Sequence, residues 1–255
     1  MGLIRLAHFI KEFNKSRNIC CIMVTCRIDK NDVNFILANR DVCDFFVINS
    51  CHSTAHDIYA SELERAGIVY VQRPNIGYDT TAWKEFILSN YDLLCEYSMV
   101  ILANNSCRYD FSIASYYEKA KQYQLYGLSI IGEDAPNQGK FPIHIQSYFI
   151  SVRHDLFNSK FFEEYWISRP IIANRHDAIH QHELIFTQGM MRQGVKIGAL
   201  FTNPPFKLFD IETYKTLEYC PMIVKKATSD VHGVYKRLLT TKKHIISGHR
   251  LMEML

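Results

Sequence analysis

Ile19-Cys20-Cys21-Ile22-Met23-Val24-Thr25 is the stretch on which the fold turns. It is short, apolar and uncharged, and it reads as a buried strand. Outward from it, Asp32–Arg40 has helical spacing with Val33, Ile36 and Leu37 inward, and Phe45–Asn49 repeats the apolar run as a second strand. Ala55–Ala66 reads as a helix stopped by Gly67, and Ile68–Gln72 as a third strand. This βαβαβ alternation implies parallel strands joined by crossover helices, the nucleotide-binding half of an open α/β sheet. The alternation continues with a helix at Asp79–Asn90, a strand at Met99–Ala103, a helix at Ser112–Tyr123 and a strand at Gly127–Ile131. Ile143–Val152 is strand-like, helices are expected at Ser159–Ile167 and Asp177–Gln193, and a last strand at Lys196–Phe201.

Composition agrees with a core-forming chain. The 255 residues are 48% hydrophobic and 22% charged, and the low Gly (11) and Pro (7) counts exclude collagen-like and disordered classes. Eight cysteines are too dilute for a disulfide scaffold, contain no C-x-x-C pair and sit mostly in apolar runs. They read as small buried hydrophobes of a reducing compartment, hence a cytoplasmic protein. Residues 1–13 have helical rather than signal-peptide spacing, and no window approaches the ~18 apolar residues of a membrane span.

Charge divides the chain in two. Residues 221–255 carry seven Lys/Arg against Asp230 and Glu253, whereas residues 1–220 are slightly acidic. We therefore expect a domain over 1–220 and a basic helical extension over 221–255. In the extension Val231, Val234, Tyr235, Leu238 and Leu239 form an apolar stripe. That stripe either packs on the domain or lies on an anionic membrane surface. Nucleic acid is not an expected partner, since no aromatic–basic interleaving or reader motif accompanies the charge.

No G-x-G-x-x-G follows the first strand and no G-x-x-x-x-G-K-[ST] occurs. Chemistry is therefore sought at the carboxyl ends of the strands, in four segments. Arg73-Pro74-Asn75-Ile76-Gly77-Tyr78-Asp79 follows the third strand. A tight turn into a capped helix explains Gly77 and Asp79 but not Arg73, Asn75 and Tyr78. Asn104-Asn105-Ser106 closes the fourth strand with short donors and acceptors. His144-Ile145-Gln146-Ser147-Tyr148 would, by strand alternation, put His144, Gln146 and Tyr148 on one face. Glu183, next to His182, would share a helical face with Ile179, Phe186 and Met190, where burial raises a carboxylate's pKa and suits it to general-base work.

Asn75-Ile76-Gly77-Tyr78-Asp79 with Ala82-Trp83-Lys84, then Asn104-Asn105-Ser106, then His144-Ile145-Gln146-Ser147-Tyr148-Phe149 resemble, in order and rough spacing, the rhamnan synthesis protein F family of bacterial glycosyltransferases. The resemblance spans about Ile19 to Lys226. It implies a GT-A-like open mixed sheet with helices on both faces, acting on a nucleotide-diphosphate sugar such as dTDP-L-rhamnose. It places Thr25, Arg27, Asn49, Ser50, Arg73, Asn75, Gly77, Tyr78 and Asp79 around the donor, and Asn104-Asn105-Ser106 where an acidic motif helps hold a divalent cation and the diphosphate. His144, Gln146, Ser147, Tyr148 and His182 would face the sugar and acceptor, with His144 and Glu183 catalytic and Glu183 the base of an inverting displacement.

One position departs from the pattern. The family reads Asn-Asp-Ser where this chain has Asn104-Asn105-Ser106, and a neutral amide is a weak ligand for Mg2+ or Mn2+. The implied function is transfer of a sugar to a lipid-linked or polysaccharide acceptor in lipopolysaccharide or capsule synthesis, at the inner face of the plasma membrane. The alternative is a catalytically silent relative that binds a sugar nucleotide or a partner transferase.

Overall fold

The computed structural model describes residues 15–50, 58–132, 142–202 and 224–225. The expected N-terminal helix, Cys51, Cys220 and all of the basic extension except Val224 and Lys225 lie outside them. In chain order the first elements are β1 (Ile19–Thr25), α1 (Lys30–Asn39), β2 (Asp44–Ser50), α2 (Ala60–Arg65), β3 (Val69–Arg73), α3 (Tyr78–Ser89) and α4 (Tyr91–Leu94). Next come β4 (Met99–Asn104), β5 (Cys107–Arg108), α5 (Ile113–Ala120), β6 (Leu125–Ile131), β7 (His144–Ile145) and β8 (Phe149–Arg153). They are followed by α6 (His154–Phe157), α7 (Lys160–Ser168), α8 (Arg175–Asp177), a π-helical stretch (Ala178–Leu184), α9 (Ile185–Arg192), β9 (Ile197–Thr202) and β10 (Val224–Lys225).

β1 occupies the middle of the sheet, as an uncharged run must. The order is β3-β2-β1-β4-β8-β6-β7, with β9 on the other side of β6. β1 pairs parallel with both β2 and β4, and β2 with β3, so the expected βαβαβ half is present. β8 then runs antiparallel to β4 and to β6, which makes the sheet mixed. Successive β1 side chains enter opposite cores. Cys21 and Met23 pack with Val33, Phe35 and Ile36 of α1 and Ile113 of α5. Cys20, Ile22 and Val24 pack with Ala82, Trp83, Phe86 and Ile87 of α3 and with Phe162 and Trp166 of α7. Helices thus cover both faces.

Local chemistry sets the helix starts. Asp29 and Asp32 form a reciprocal capping box at α1, and Ser112 caps α5. The described part of the second helix begins at Ala60, later than Ala55, with Ile58 and Tyr59 in a turn. Cys20, Cys21, Cys43 and Cys107 are buried as expected, and burial pushes the thiols of the first three upward, whereas Cys26 is exposed. No helix among the described residues is long and apolar enough to cross a membrane.

The expected strand Ile143–Val152 is broken. Its register moves from Ile145↔Ile130 to Ile150↔Gly127, so it advances five residues while β6 advances three. The two extra residues bulge outward between β7 and β8. Gly127 permits the crossing, because a Cβ there would stand 2.3 Å from the Ile145 side chain. Around the bulge His144 and Tyr148 are both buried, and the Tyr148 hydroxyl donates to Gln146 Oε1.

Candidate functional site

The parallel strands β1 to β4 end on one edge, and the polar residues at those ends hydrogen-bond to one another. At the end of β1 the Thr25 hydroxyl donates to Asn49 Oδ1 of β2 (3.1 Å), and both are buried. Beyond β3 the Arg73 guanidinium donates to Ser50 Oγ (2.9 Å) and to the Ile76 carbonyl (3.0 Å). It also pairs with Glu85 of α3 at 3.0 Å, the two side chains being only 5% and 16% exposed. Ser50 in turn lies 3.4 Å from Asn75 Oδ1, and Asn75 Nδ2 reaches Cys26 Sγ. The turn into α3 uses two successive left-handed residues, Gly77 (φ 78°) and Tyr78 (φ 57°), the latter exposed. Gly77 is required there, because a Cβ would stand 2.1 Å from Thr81 Oγ1.

Asn105, past β4, ties this edge to the β1–α1 loop. Its Oδ1 accepts from Cys26 N–H (3.3 Å), and its Nδ2 donates to the Arg27 carbonyl (2.9 Å) and to Asp32 Oδ2 (3.1 Å). Asn104 Oδ1 accepts from Ser106 N–H, and the Asn104 side chain hydrogen-bonds Asp79. Burial raises the Asp79 carboxyl to about 6, the largest influence on it, and the Asn104 hydrogen bond opposes that rise.

The bulge lies alongside. Asn104 N–H donates to the Tyr148 carbonyl, and the Tyr109 hydroxyl sits 2.6 Å from the carbonyls of both Asn104 and Tyr148. Ser147 N–H, turned out of the ladder, donates to Glu183 Oε1 at 2.8 Å. Ile145 N–H donates to Thr187 Oγ1, and Gln188 Nε2 to the Ile143 carbonyl. The helix expected at Asp177–Gln193 forms, but its π-helical turns leave Glu183 half-buried. His182 rather than Glu183 stacks on Phe186.

Several expected residues are withdrawn from any ligand. His182 is 1% exposed, packed among Trp83, Trp166 and Phe186, with Nδ1 2.7 Å from the Tyr165 hydroxyl. Burial, helped by the nearby Arg169 cation, lowers its pKa to about 3, so the ring is a neutral core group, not an acceptor contact. Tyr148 packs in the core with its hydroxyl on Gln146, and His144 is 5% exposed with Nδ1 on the Pro142 carbonyl. Arg73 is spent on Glu85. Arg27, Asn75, Tyr78, Asp79, Asn105, Ser106, Gln146, Ser147 and Glu183 keep exposed or half-exposed surface along one edge. The sequence reading missed Glu85, Asp32 and Tyr109. Only Asp32 carried a signal, the Asp29-x-x-Asp32 spacing of a capping box.

The implied divalent cation fits this donor set poorly. Asn105 offers an amide whose two hydrogens and oxygen are already engaged, Asp32 accepts from Asp29 N–H and Asn105, and Asp79 is tied to Asn104. Among the described residues no three His, Cys, Asp or Glu side chains converge as a ligand set.

Against known families, the family model for Rhamnan synthesis protein F matches residues 45–252. The chain belongs to the rhamnan synthesis protein F family. The rhamnan synthesis protein F match begins inside β2, later than the Ile19 start suggested by the motifs, and leaves Thr25 and Arg27 before it. An uncharacterized protein of Sinorhizobium fredii, y4gN, is 24% identical over 137 residues, 51% of this chain and 34% of that protein. The chain therefore spans about a third of that relative's length. Among solved structures, 4-diphosphocytidyl-2C-methyl-D-erythritol synthase covers 88% of this chain and is itself covered completely, at 8% identity and a TM-score of 0.48. The glycosyltransferase GlyE of Streptococcus pneumoniae covers 93% of this chain, with 62% of its own length matched, at 10% identity and a TM-score of 0.47. The sheet order, rather than these distant likenesses, defines the fold.

Proposed function

We propose that this rhamnan synthesis protein F relative transfers a sugar, L-rhamnose from dTDP-L-rhamnose, to a lipid-linked or polysaccharide acceptor in bacterial surface polysaccharide synthesis. The observation that carries the reading is the joined polar edge. Hydrogen bonds connect the ends of β1 to β4 to one another and, through Asn104, to the bulge that Glu183 holds, and such strand ends are where open α/β sheets bind ligands. Arg27, Asn75, Tyr78, Asp79 and Ser106 line the donor side. Gln146 and Ser147 line the acceptor side.

In this reading Glu183 is the base of an inverting displacement. Ser147 N–H anchors one carboxylate oxygen, which orients the group, and the other takes the proton of the acceptor hydroxyl as the hydroxyl oxygen attacks the anomeric carbon and the nucleoside diphosphate leaves. The test is turnover of a panel of nucleotide sugars with Glu183→Gln beside wild type. Glutamine retains an acceptor for Ser147 N–H but cannot take the proton. Loss of about 10²–10⁴-fold in kcat with donor binding intact supports the assignment, and wild-type turnover refutes it. Asn105, an amide in place of an acidic residue, favours a second reading, a silent relative that binds donor without turning it over. Donor-induced stabilisation without turnover of any donor would select it. The basic extension, as a peripheral anchor on an anionic membrane, belongs to the same proposal and is tested by salt-dependent sedimentation with anionic vesicles.

A further inference from the structure

We infer that the site takes its nucleoside diphosphate without a divalent cation, Arg27 meeting the diphosphate charge and Asn105 acting as the positioning residue that presents Arg27. This rests on the donor-binding reading above and deepens it. A departing diphosphate needs positive charge beside it. Among the described residues, Arg108 beyond Ser106 is buried and three further cations around this edge are committed. Arg73 is buried against Glu85, Lys84 donates to the carbonyls of Ile167 and Arg169 at the end of α7, and Lys30 pairs with Glu62. Arg27 is exposed, and among the described residues no carboxylate pairs with it.

Its backbone is nonetheless fixed on both sides. Asn105 holds Cys26 N–H and the Arg27 carbonyl, and the next side chain, Ile28, is buried in the core. Arg27 is thereby presented beside the ends of β3 and β4, where Asn75 reaches Cys26 and Asn104 reaches Asp79. A guanidinium held in this way suits a phosphate, with a planar fork of donors and a permanent charge.

The amide at 105 is also the group this clasp demands. A carboxylate there would set oxygen against oxygen at the Arg27 carbonyl and at Asp32 Oδ2, replacing two hydrogen bonds by repulsion. Asn105 therefore works here as a loop clasp.

Calorimetric titration with inorganic pyrophosphate, dTDP, UDP and GDP, each in EDTA and then in excess Mg2+ or Mn2+, tests this. We expect a nucleoside diphosphate to bind equally well in EDTA and in metal. Arg27→Ala should weaken it by about ten- to a hundredfold, Arg27→Lys should recover part, and Lys30→Ala should leave it unchanged. Asn105→Asp should lower the melting temperature and gain no Mn2+ site by electron paramagnetic resonance. Binding that requires metal, wild-type affinity in Arg27→Ala, or a tight Mn2+ site in Asn105→Asp would each overturn the inference while leaving the donor reading intact. Absence of binding to every nucleoside diphosphate in both conditions would overturn the donor reading, and this inference with it.

Discussion

The two halves of the sheet build their share of the edge in opposite ways. From β1 to β4 the strands are regular and parallel, and the polar side chains at their ends pair with one another and with the β1–α1 loop: Thr25 with Asn49, Arg73 with Ser50 and Glu85, and Asn105 with Asp32 and with the Cys26 N–H and the Arg27 carbonyl. Between β6 and α9 the backbone itself is irregular, a bulge in the strand facing a π-helical stretch in the helix. Irregular backbone leaves N–H groups without ladder partners, and side chains must supply them. Glu183 does so for Ser147 and Thr187 for Ile145. The first half is thus held largely by the side chains of the strand ends and their loops, and the second by helix side chains on strand backbone. The carboxylate proposed as the base is one of those supports.

If the first half depends on its paired edge, Arg73→Ala is the substitution that damages it most. It strands Glu85 in a site where neither partner meets much water, and should cost about 3–5 kcal/mol of unfolding free energy in urea titration. A loss of about 1 kcal/mol or less, the size of a surface pair, would show that the edge is held by its strands instead. The matching change in the second half is Thr187→Val, which keeps the shape of a fully buried side chain but leaves Ile145 N–H without an acceptor. The expected cost is about 1–3 kcal/mol by the same titration. An unchanged midpoint would mean that the bulge holds without help from α9.

The same contrast explains what could be read in advance. β1, β2, β4 and the inward set Ala82, Trp83, Phe86 and Ile87 were legible because burial on a strand or a helix leaves a period in the sequence, and all four of those residues are buried. The strand ends were legible as places where short polar residues gather. Partners were not: that Arg73 meets Glu85, or Asn105 meets Asp32, follows from how α3 and α1 lie on the sheet. The bulge and the π-helical turns left no signature. A strand of period two put Tyr148 beside His144, and a helix of period 3.6 put Glu183 beside Phe186. In the structure His144 and Tyr148 are both buried, and His182, four residues before Phe186, stacks on it while Glu183 stays half-buried.

Asp79 sharpens the comparison from the other direction, since it stands where the two halves meet and its carboxyl is held near 6 by burial. The folded protein binds its proton more tightly than the unfolded chain, in which an aspartate titrates near 4. Stability from this group is therefore fully present below about pH 4 and is lost as pH rises to about 6. Partial contact with water and the Asn104 hydrogen bond limit the loss to about 1–2 kcal/mol. Urea midpoints collected from pH 4 to 7 should show this decline in wild type and a flatter profile in Asp79→Asn, which keeps the shape without the charge. If the two profiles run parallel, the carboxyl is solvated, and the junction between the halves is open where the structure draws it closed.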